Sequence, residues 1–332
     1  AARIMATKNL LQAIHEGLAE EMRSDETVMV LGEDVGRAGG VFRLTEGLME
    51  EFGSARVMDT PLAESLIVGA AIGLSVNGMR PVAEIQFADF VHPAFDQIVT
   101  EAARFYYRSN GAWECPITVR IPYGVVPGGA LYHSQSVEAF FCNVPGLKVL
   151  APTFPADAKG MLKSAIRDPN PVLFFEHKKS YRSIKEKVPE DDYAVPIGEA
   201  KVHREGTDLT VVSYGMMLHS VLQVAQKLSG EHGIETEVIE PRTLYPLDKE
   251  TILGSVKKTG KFLAISEANL TGSVSAEIAA VVAREAFEWL DGPVMRLGAP
   301  DVPAAAFAKP MMEFFVPSAE KIETAMLELA WY

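Results

Sequence analysis

The segment Asp59-Thr60-Pro61-Leu62-Ala63-Glu64-Ser65 runs into the small-residue stretch Leu66-Ile67-Val68-Gly69-Ala70-Ala71-Ile72-Gly73. Asp59 or Thr60 can cap a helix, and Pro61 suits a first helical position. Glu64 is therefore expected in the first turn, beside an apolar body with little polar competition. A carboxylate on such a rigid, mostly dry element can exchange a proton with a ligand. Its ordinary alternative is an acid that complements the helix dipole. Gly69 and Gly73 share a helical face, which would let another backbone approach closely. Three further loops carry reactive side chains: Gly32-Glu33-Asp34-Val35-Gly36, Gln86-Phe87-Ala88-Asp89-Phe90, and Pro122-Tyr123-Gly124 leading into residues 128–136 with His133. Each follows an apolar run, and open parallel sheets bind ligands at the carboxyl edge of their strands. A flat heteroaromatic ring could stack on Phe90, meet Gln86 and Glu64 at its polar edge and lie near His133. Against this stand core packing for Phe90 and a histidine held by Ser134 or Gln135 for His133.

The elements that must position these residues alternate between helix and strand. Leu10, Leu11, Ile14, Leu18 and Met22 recur at helical spacing. Strands are expected at 27–31, 81–85, 117–121, 148–150 and 172–175. A long helix is expected over 92–108, with Phe95, Ile98, Val99, Ala102, Phe105 and Tyr106 as its buried stripe. Continuous apolar strands belong in a parallel sheet covered on both faces. Polar residues with Pro189 and Pro196 read as a linker. A second set follows: strands at 209–213, 237–239, 262–265 and 294–297, and helices over 216–228, 275–290 and 318–329. The reading is an α/β chain of two domains with mainly parallel sheets flanked by helices: 1–185, a linker 186–204, and 205–332.

Bulk properties exclude several functions. The 332 residues are 48% hydrophobic and 23% charged, with a net charge of −13, which argues against nucleic acid and an anionic membrane surface. Cys115 and Cys142 suit core thiols in a reducing compartment better than a disulfide framework or a zinc site. No signal peptide pattern and no bilayer-length apolar run is present. A cytoplasmic bacterial or archaeal protein is expected, and the mature form of a mitochondrial matrix chain stays open. No G-x-G-x-x-G follows a strand, no G-x-S-x-G elbow occurs, and 254–261 fails as a P-loop because Phe262 stands where Ser or Thr is needed.

With these residues in this order, the chain resembles the β subunits of thiamine-diphosphate-dependent 2-oxo acid dehydrogenases, the E1 components. The branched-chain 2-oxoisovalerate type is nearest and the pyruvate type next. The resemblance runs nearly end to end. It rests on Leu31-Gly32-Glu33-Asp34-Val35-Gly36, residues 59–64, residues 86–90 with Phe95-Asp96-Gln97-Ile98, and residues 132–136. Further anchors are Pro155-Ala156-Asp157-Ala158-Lys159-Gly160, Asp168-Pro169-Asn170-Pro171 and Arg242-Thr243-Leu244-Tyr245-Pro246-Leu247-Asp248. The resemblance implies a pyrimidine-binding domain followed by a transketolase C-terminal-like domain. It makes Glu64 the acid that contacts N1′ of the aminopyrimidine, so that the ring can take the proton from C2 of the thiazolium. Leu62, Gln86 and Phe90 become cofactor-pocket residues, and Glu33 an acidic member of a buried proton path between active sites. His133 becomes a proton donor or charge stabiliser around decarboxylation and acyl transfer to lipoyl. A potassium ion is implied near Ile117, Ala165, Asp168 and Asn170.

The Gly-Asp-Gly sequence with which the family holds Mg2+ and diphosphate is absent from this chain. The resemblance therefore implies half an enzyme, with an α subunit holding the metal and the diphosphate in an α2β2 heterotetramer. It also implies partners in an E2 acyltransferase: its lipoyl domain, and its basic subunit-binding domain docked on an acidic surface with Glu288, Asp291 and the Tyr332 carboxylate. Residues 300–307 are more alanine-rich than is usual there. Three other readings compete: the same chemistry on pyruvate, a non-catalytic assembly subunit, and an unrelated small-molecule-binding α/β monomer.

Overall fold

The apolar runs form strands whose side chains are buried on both faces, as a parallel sheet between helices requires. The computed structural model describes residues 4–332, so the first three residues of the domain expected over 1–185 lie outside the described residues. The chain divides into two units: one holds the residues up to Tyr123 together with Phe140–Ile197, the other Gly124–Ala139 together with Gly198–Tyr332.

In the first unit the strands are β1 (Met5–Asn9), β2 (Val28–Gly32), β3 (Val57–Asp59), β4 (Arg80–Glu84), β5 (Thr118–Tyr123), β6 (Lys148–Leu150), β7 (Val172–His177) and β8 (Lys185–Pro189). Six of them run parallel in the order β6-β7-β5-β4-β2-β3. Gly32 stands opposite both Asp59 and Glu84, and Glu84 opposite Arg120. This register aligns the carboxyl ends of β2, β3 and β4. The helix Leu10–Ser24 starts with a capping box, Gln12 N–H donating to Asn9 Oδ1 at 2.8 Å and Asn9 N–H to Gln12 Oε1 at 3.0 Å. Its stripe of Leu10, Ile14, Leu18 and Met22 packs with Met161, Leu162, Ala165 and Ile166 of the helix Pro155–Arg167. Each such side chain removed from water stabilises the fold by about 1.5–3 kcal/mol. Gly17 permits the close approach, because a Cβ there would lie 3.2 Å from the Lys159 carbonyl oxygen. Lys159 and Lys163 are buried in this contact, with Lys159 Nζ donating to Glu20 at 2.8 Å and Lys163 Nζ to Glu20 at 2.7 Å.

In the second unit the strands are β9 (Lys201–Arg204), β10 (Leu209–Ser213), β11 (Thr236–Glu240), β12 (Thr243–Tyr245), β13 (Phe262–Asn269) and β14 (Val294–Ala299). One sheet runs β14-β13-β10-β11-β9, parallel except for the edge strand β9. Asp248, Ser273 and Ser318 cap the helices Lys249–Thr259, Val274–Glu285 and Ala319–Trp331 through side-chain oxygens. Gly233, at φ 67°, closes the helix Met216–His232.

Several expectations change. The polar stretch 186–204 carries strand structure: β8 pairs antiparallel with β1, and β9 antiparallel with β11. The helix over 92–108 is broken into short 3-10, π and α pieces, with the π turn at Gln97–Glu101. A π turn inserts one residue into the helical repeat and rotates the residues after it by about 100°. Of the expected stripe, Tyr106 is at the surface while Ile98, Ala102 and Phe105 are inside; Phe95 is also exposed and leans on Phe141, ring centroids 5.6 Å apart. The helix over 275–290 ends at Glu285 and continues as a 3-10 turn, Phe287–Trp289. Among the described residues no backbone reaches the Gly69 and Gly73 face: a Cβ at Gly69 would meet only Gln97 Cγ at 3.8 Å, and one at Gly73 nothing within 4 Å. Among the described residues no helix is long and apolar enough to cross a membrane.

Candidate active site

Glu33 follows β2, residues 60–64 follow β3, and residues 86–90 follow β4. The register of these strands sets the three loops side by side at one edge of the first unit's sheet. Thr60 N–H donates to the Gly32 carbonyl at 2.9 Å, tying the exit of β3 to that of β2. Asp59 is not a helix cap, contrary to expectation. It ends β3, and its carboxylate accepts the Gly36 N–H at 2.6 Å and the Arg37 N–H at 3.3 Å, bracing the turn that carries Glu33. Thr60 Oγ1 donates to the Pro61 carbonyl instead of capping. The helix begins later, as Glu64–Ser75, with Ala63 at the N-cap and no side-chain cap. Glu64 is thus the first helical residue, where unpaired N–H groups and the dipole favour negative charge.

Glu64 is only 9% exposed, whereas Leu62 beside it is 70% exposed. Gln86, Phe90 and Glu33 are half-buried. Burial, and then the charges of Asp34 and Glu64, push the Glu33 carboxyl above its ordinary value. Glu33 therefore senses the Glu64 charge across the edge. Phe90 meets Phe87 edge to face with ring centroids 5.6 Å apart; Phe87 meets Phe42 at 5.4 Å, and Phe42 meets Tyr181 at 5.2 Å. The expected pocket residues of this unit, Glu33, Leu62, Glu64, Gln86 and Phe90, all come to this one edge.

Beneath it lies a buried ionic network that sequence reading missed. Arg120, in the middle of β5, donates through Nε and Nη2 to the two oxygens of Glu176, each at 2.7 Å, and through Nη1 to Glu84 at 2.5 Å. Tyr181 Oη donates to Glu176 at 2.5 Å. Burial pushes Glu84 up, against the pull of Arg120. Burial disfavours the Arg120 charge, but Glu176 and Glu84 outweigh it and raise its pKa. The sequence signal was a charged residue inside an apolar run: Arg120 in the middle of β5, Glu84 at the end of β4 and Glu176 near the end of β7.

His133 lies in the second unit, in the segment Gly124–Ala139, half-buried after the 3-10 turn Ala130–Tyr132. The Gly124 N–H donates to the Gln135 carbonyl at 3.1 Å. Glu288, Asp291 and Tyr332, the expected acidic docking residues, are exposed in the same unit. The four residues considered for potassium are differently engaged. Asp168 forms an ion pair with Lys148 and accepts the Asn170 N–H at 2.9 Å. Arg80 donates to the carbonyls of Ile166 at 2.9 Å and Asp168 at 3.4 Å. The carbonyls of Ile117 and Ala165 accept the N–H groups of Val172 and Asp168. These contacts leave further acceptor capacity on the carbonyls and the carboxylate, and no catalytic step is assigned to a potassium ion.

Comparison with known proteins places this geometry in a family. Residues 6–184 match the transketolase pyrimidine binding domain, and residues 198–322 the transketolase C-terminal domain. The 2-oxoisovalerate dehydrogenase subunit beta of Bacillus subtilis (strain 168) is 54% identical over 98% of this chain and 99% of that protein. The mitochondrial 2-oxoisovalerate dehydrogenase subunit beta 2 of Arabidopsis thaliana is 50% identical, over 96% of this chain and 88% of that protein. The pyruvate dehydrogenase E1 component subunit beta of B. subtilis is 48% identical over 90% of this chain and 91% of that protein. A solved chain described as a split gene transketolase, inactive beta4 tetramer, shares the fold, with TM-score 0.79 and 24% identity over 98% of both chains. The chain belongs to the β subunits of the E1 components of 2-oxo acid dehydrogenases.

Proposed function

We propose that this chain supplies the aminopyrimidine half of a thiamine diphosphate site. With an α subunit holding diphosphate and Mg2+ in an α2β2 assembly, it carries out oxidative decarboxylation of a branched-chain 2-oxo acid and acylates the lipoyl group of an E2 acyltransferase. Relatives named for 2-oxoisovalerate, at 54% and 50% identity, favour the branched-chain substrate; a relative named for pyruvate, at 48%, supports the second reading. The observation that carries the proposal is Glu64, a buried carboxyl at the first residue of a helix, sharing one sheet edge with Glu33, Gln86 and Phe90.

The residues fit the group: an acid, an amide, an aromatic face and an apolar side chain meet at this edge. When bound, thiamine diphosphate supplies a carbon nucleophile and an electron sink for decarboxylation. Glu64 holds and returns a proton at N1′ of the aminopyrimidine, and such proton transfer contributes about 10²–10⁴-fold. Gln86 offers the ring edge a donor and an acceptor, and Phe90 and Leu62 exclude water from its faces. Glu33, its carboxyl raised by burial, places a second acid near Glu64. His133 donates a proton or steadies charge during acyl transfer. Leu62, 70% exposed, and Leu66, 50% exposed, leave apolar surface beside the site for the α subunit.

Co-expression with an α subunit tests this. Thiamine-dependent lipoyl acylation by a heterotetramer, faster with 2-oxoisovalerate than with pyruvate, is the expected result. Tight Mg2+-dependent cofactor binding by this chain alone would refute the shared site, and preference for pyruvate would replace the branched-chain reading.

A further inference from the structure

We infer that Glu138, Tyr214 and Glu267 fasten the segment that carries His133 and are positioning residues for acyl transfer; the second half of this inference rests on the role proposed for His133. The segment Gly124–Ala139 leaves β5 and re-enters the first unit at Phe140, yet it groups with the second unit. The middle of the segment, around His133, has little of its own to hold it still. The segment contains Gly124, Gly128, Gly129 and Pro127, and its only regular structure is the three-residue turn Ala130–Tyr132. Leu131 and Tyr132 point to solvent, and the apolar side chains that the segment buries, Val125 and Val137, lie toward its two ends, beside the anchors.

Two hydrogen bonds to buried carboxyls anchor it, one near each end. The Val125 N–H donates to Glu267 Oε1 at 2.5 Å, and Tyr214 Oη donates to Glu138 Oε1 at 2.6 Å. The two anchors outside the segment sit on rigid ground: Glu267 lies within β13, and Tyr214 follows β10, its neighbour in the sheet. All three side chains are buried. Between the anchors the segment closes on itself, since a Cβ at Gly129 would lie 2.4 Å from Ser134 Oγ and 2.8 Å from the His133 carbonyl oxygen. Burying two carboxyls in one cluster opposes folding unless hydrogen bonds offset it. The Glu138 carboxyl shows the strain: burial pushes it up to about 6, and the Glu267 charge adds to the shift. A proton-transfer group displaced by 1 Å can lose about 10²-fold in rate, so the anchoring has a chemical consequence at His133.

The test uses the α2β2 holoenzyme and its lipoyl domain. Y214F removes one hydroxyl without changing shape, and E267A removes the other anchor. Both should speed hydrogen exchange in residues 124–139 about tenfold. Both should slow lipoyl acylation about tenfold or more, while decarboxylation read with ferricyanide stays within about threefold of the parent. E138Q still accepts from Tyr214 and should keep the parent's exchange and acylation, whereas E138A should behave like Y214F. Parent-like exchange in both Y214F and E138A would overturn the fastening. Faster exchange with undiminished lipoyl acylation would overturn the positioning role. If H133A itself acylates lipoyl normally while Y214F still loosens the segment, the fastening stands and the reading of His133 fails.

Discussion

Replacing Arg120 with Met should destabilise the first unit far more than its loss of volume implies. The guanidinium makes three hydrogen bonds to two carboxylates, with Glu84 3% exposed and Glu176 fully buried. Methionine fills much of the space but leaves both acids in an apolar sheet, with the Tyr181 hydroxyl remaining for Glu176. Breaking a buried pair in this way costs about 3–5 kcal/mol, a large part of the roughly 5–15 kcal/mol that holds a domain together. The melting temperature should fall by roughly 6–20 °C for a unit of this size. The pH dependence has a definite sign. Without Arg120, burial and the Glu176 charge act unopposed on Glu84 and raise its folded pKa further above the ordinary value. A carboxyl raised in the folded state contributes its full stability below the unfolded pKa and loses it as pH rises through the folded one. The deficit of R120M should therefore be larger at pH 8 than at pH 5, and E84Q should recover part of it. Differential scanning calorimetry of the parent, R120M and R120M/E84Q across this range is the assay. A deficit that grows toward acid, or none at all, would refute the reasoning. Gln86 and the Phe42–Phe87–Phe90 ring chain stand on this network, so cofactor affinity should drop with it.

Two more outcomes are expected. The Glu138 carboxyl rises from 4.5 to about 6 on folding, so its burial is free of penalty below pH 4.5 and opposes folding by about 2 kcal/mol once pH passes 6; E138Q should match the parent near pH 4.5 and melt higher at pH 7–8, as a calorimetric pH series can read. Leu62→Asp with Leu66→Asp changes two exposed side chains, so circular dichroism of the isolated chain should stay at the parent's while co-purification of the α subunit is lost.

Much of the strand framework was legible because parallel strands buried on both faces are continuous apolar runs; 148–150 and 209–213 are read with their observed bounds. The loops at their carboxyl ends came with them, and so did Glu33, Glu64, Gln86 and Phe90. What escaped depends on partners remote in sequence. Met-Ala-Thr-Lys-Asn has no apolar period, and it becomes β1 only because Lys185–Pro189 lies alongside. Asp59 has the right chemistry for a cap, but the register of β2 and β3 gives it the Gly36 and Arg37 amides instead. The π turn at Gln97–Glu101 leaves no mark in an otherwise regular amphipathic pattern. Arg120 and Glu84 interrupt apolar runs without any local sign of a partner, and only the sheet sets them side by side. Glu138, Tyr214 and Glu267 carry no common local signal, being joined only by the fold of the second unit.

The central claim, that Glu64 serves as the acid for the cofactor's pyrimidine, is tested most directly by the rate at which C2 of bound thiamine diphosphate exchanges its hydrogen for deuterium in the α2β2 holoenzyme. Glu64→Gln should leave the heterotetramer and its cofactor content intact and slow that exchange at least about 100-fold. Exchange at the parent's rate in an intact, cofactor-loaded E64Q tetramer would contradict the account.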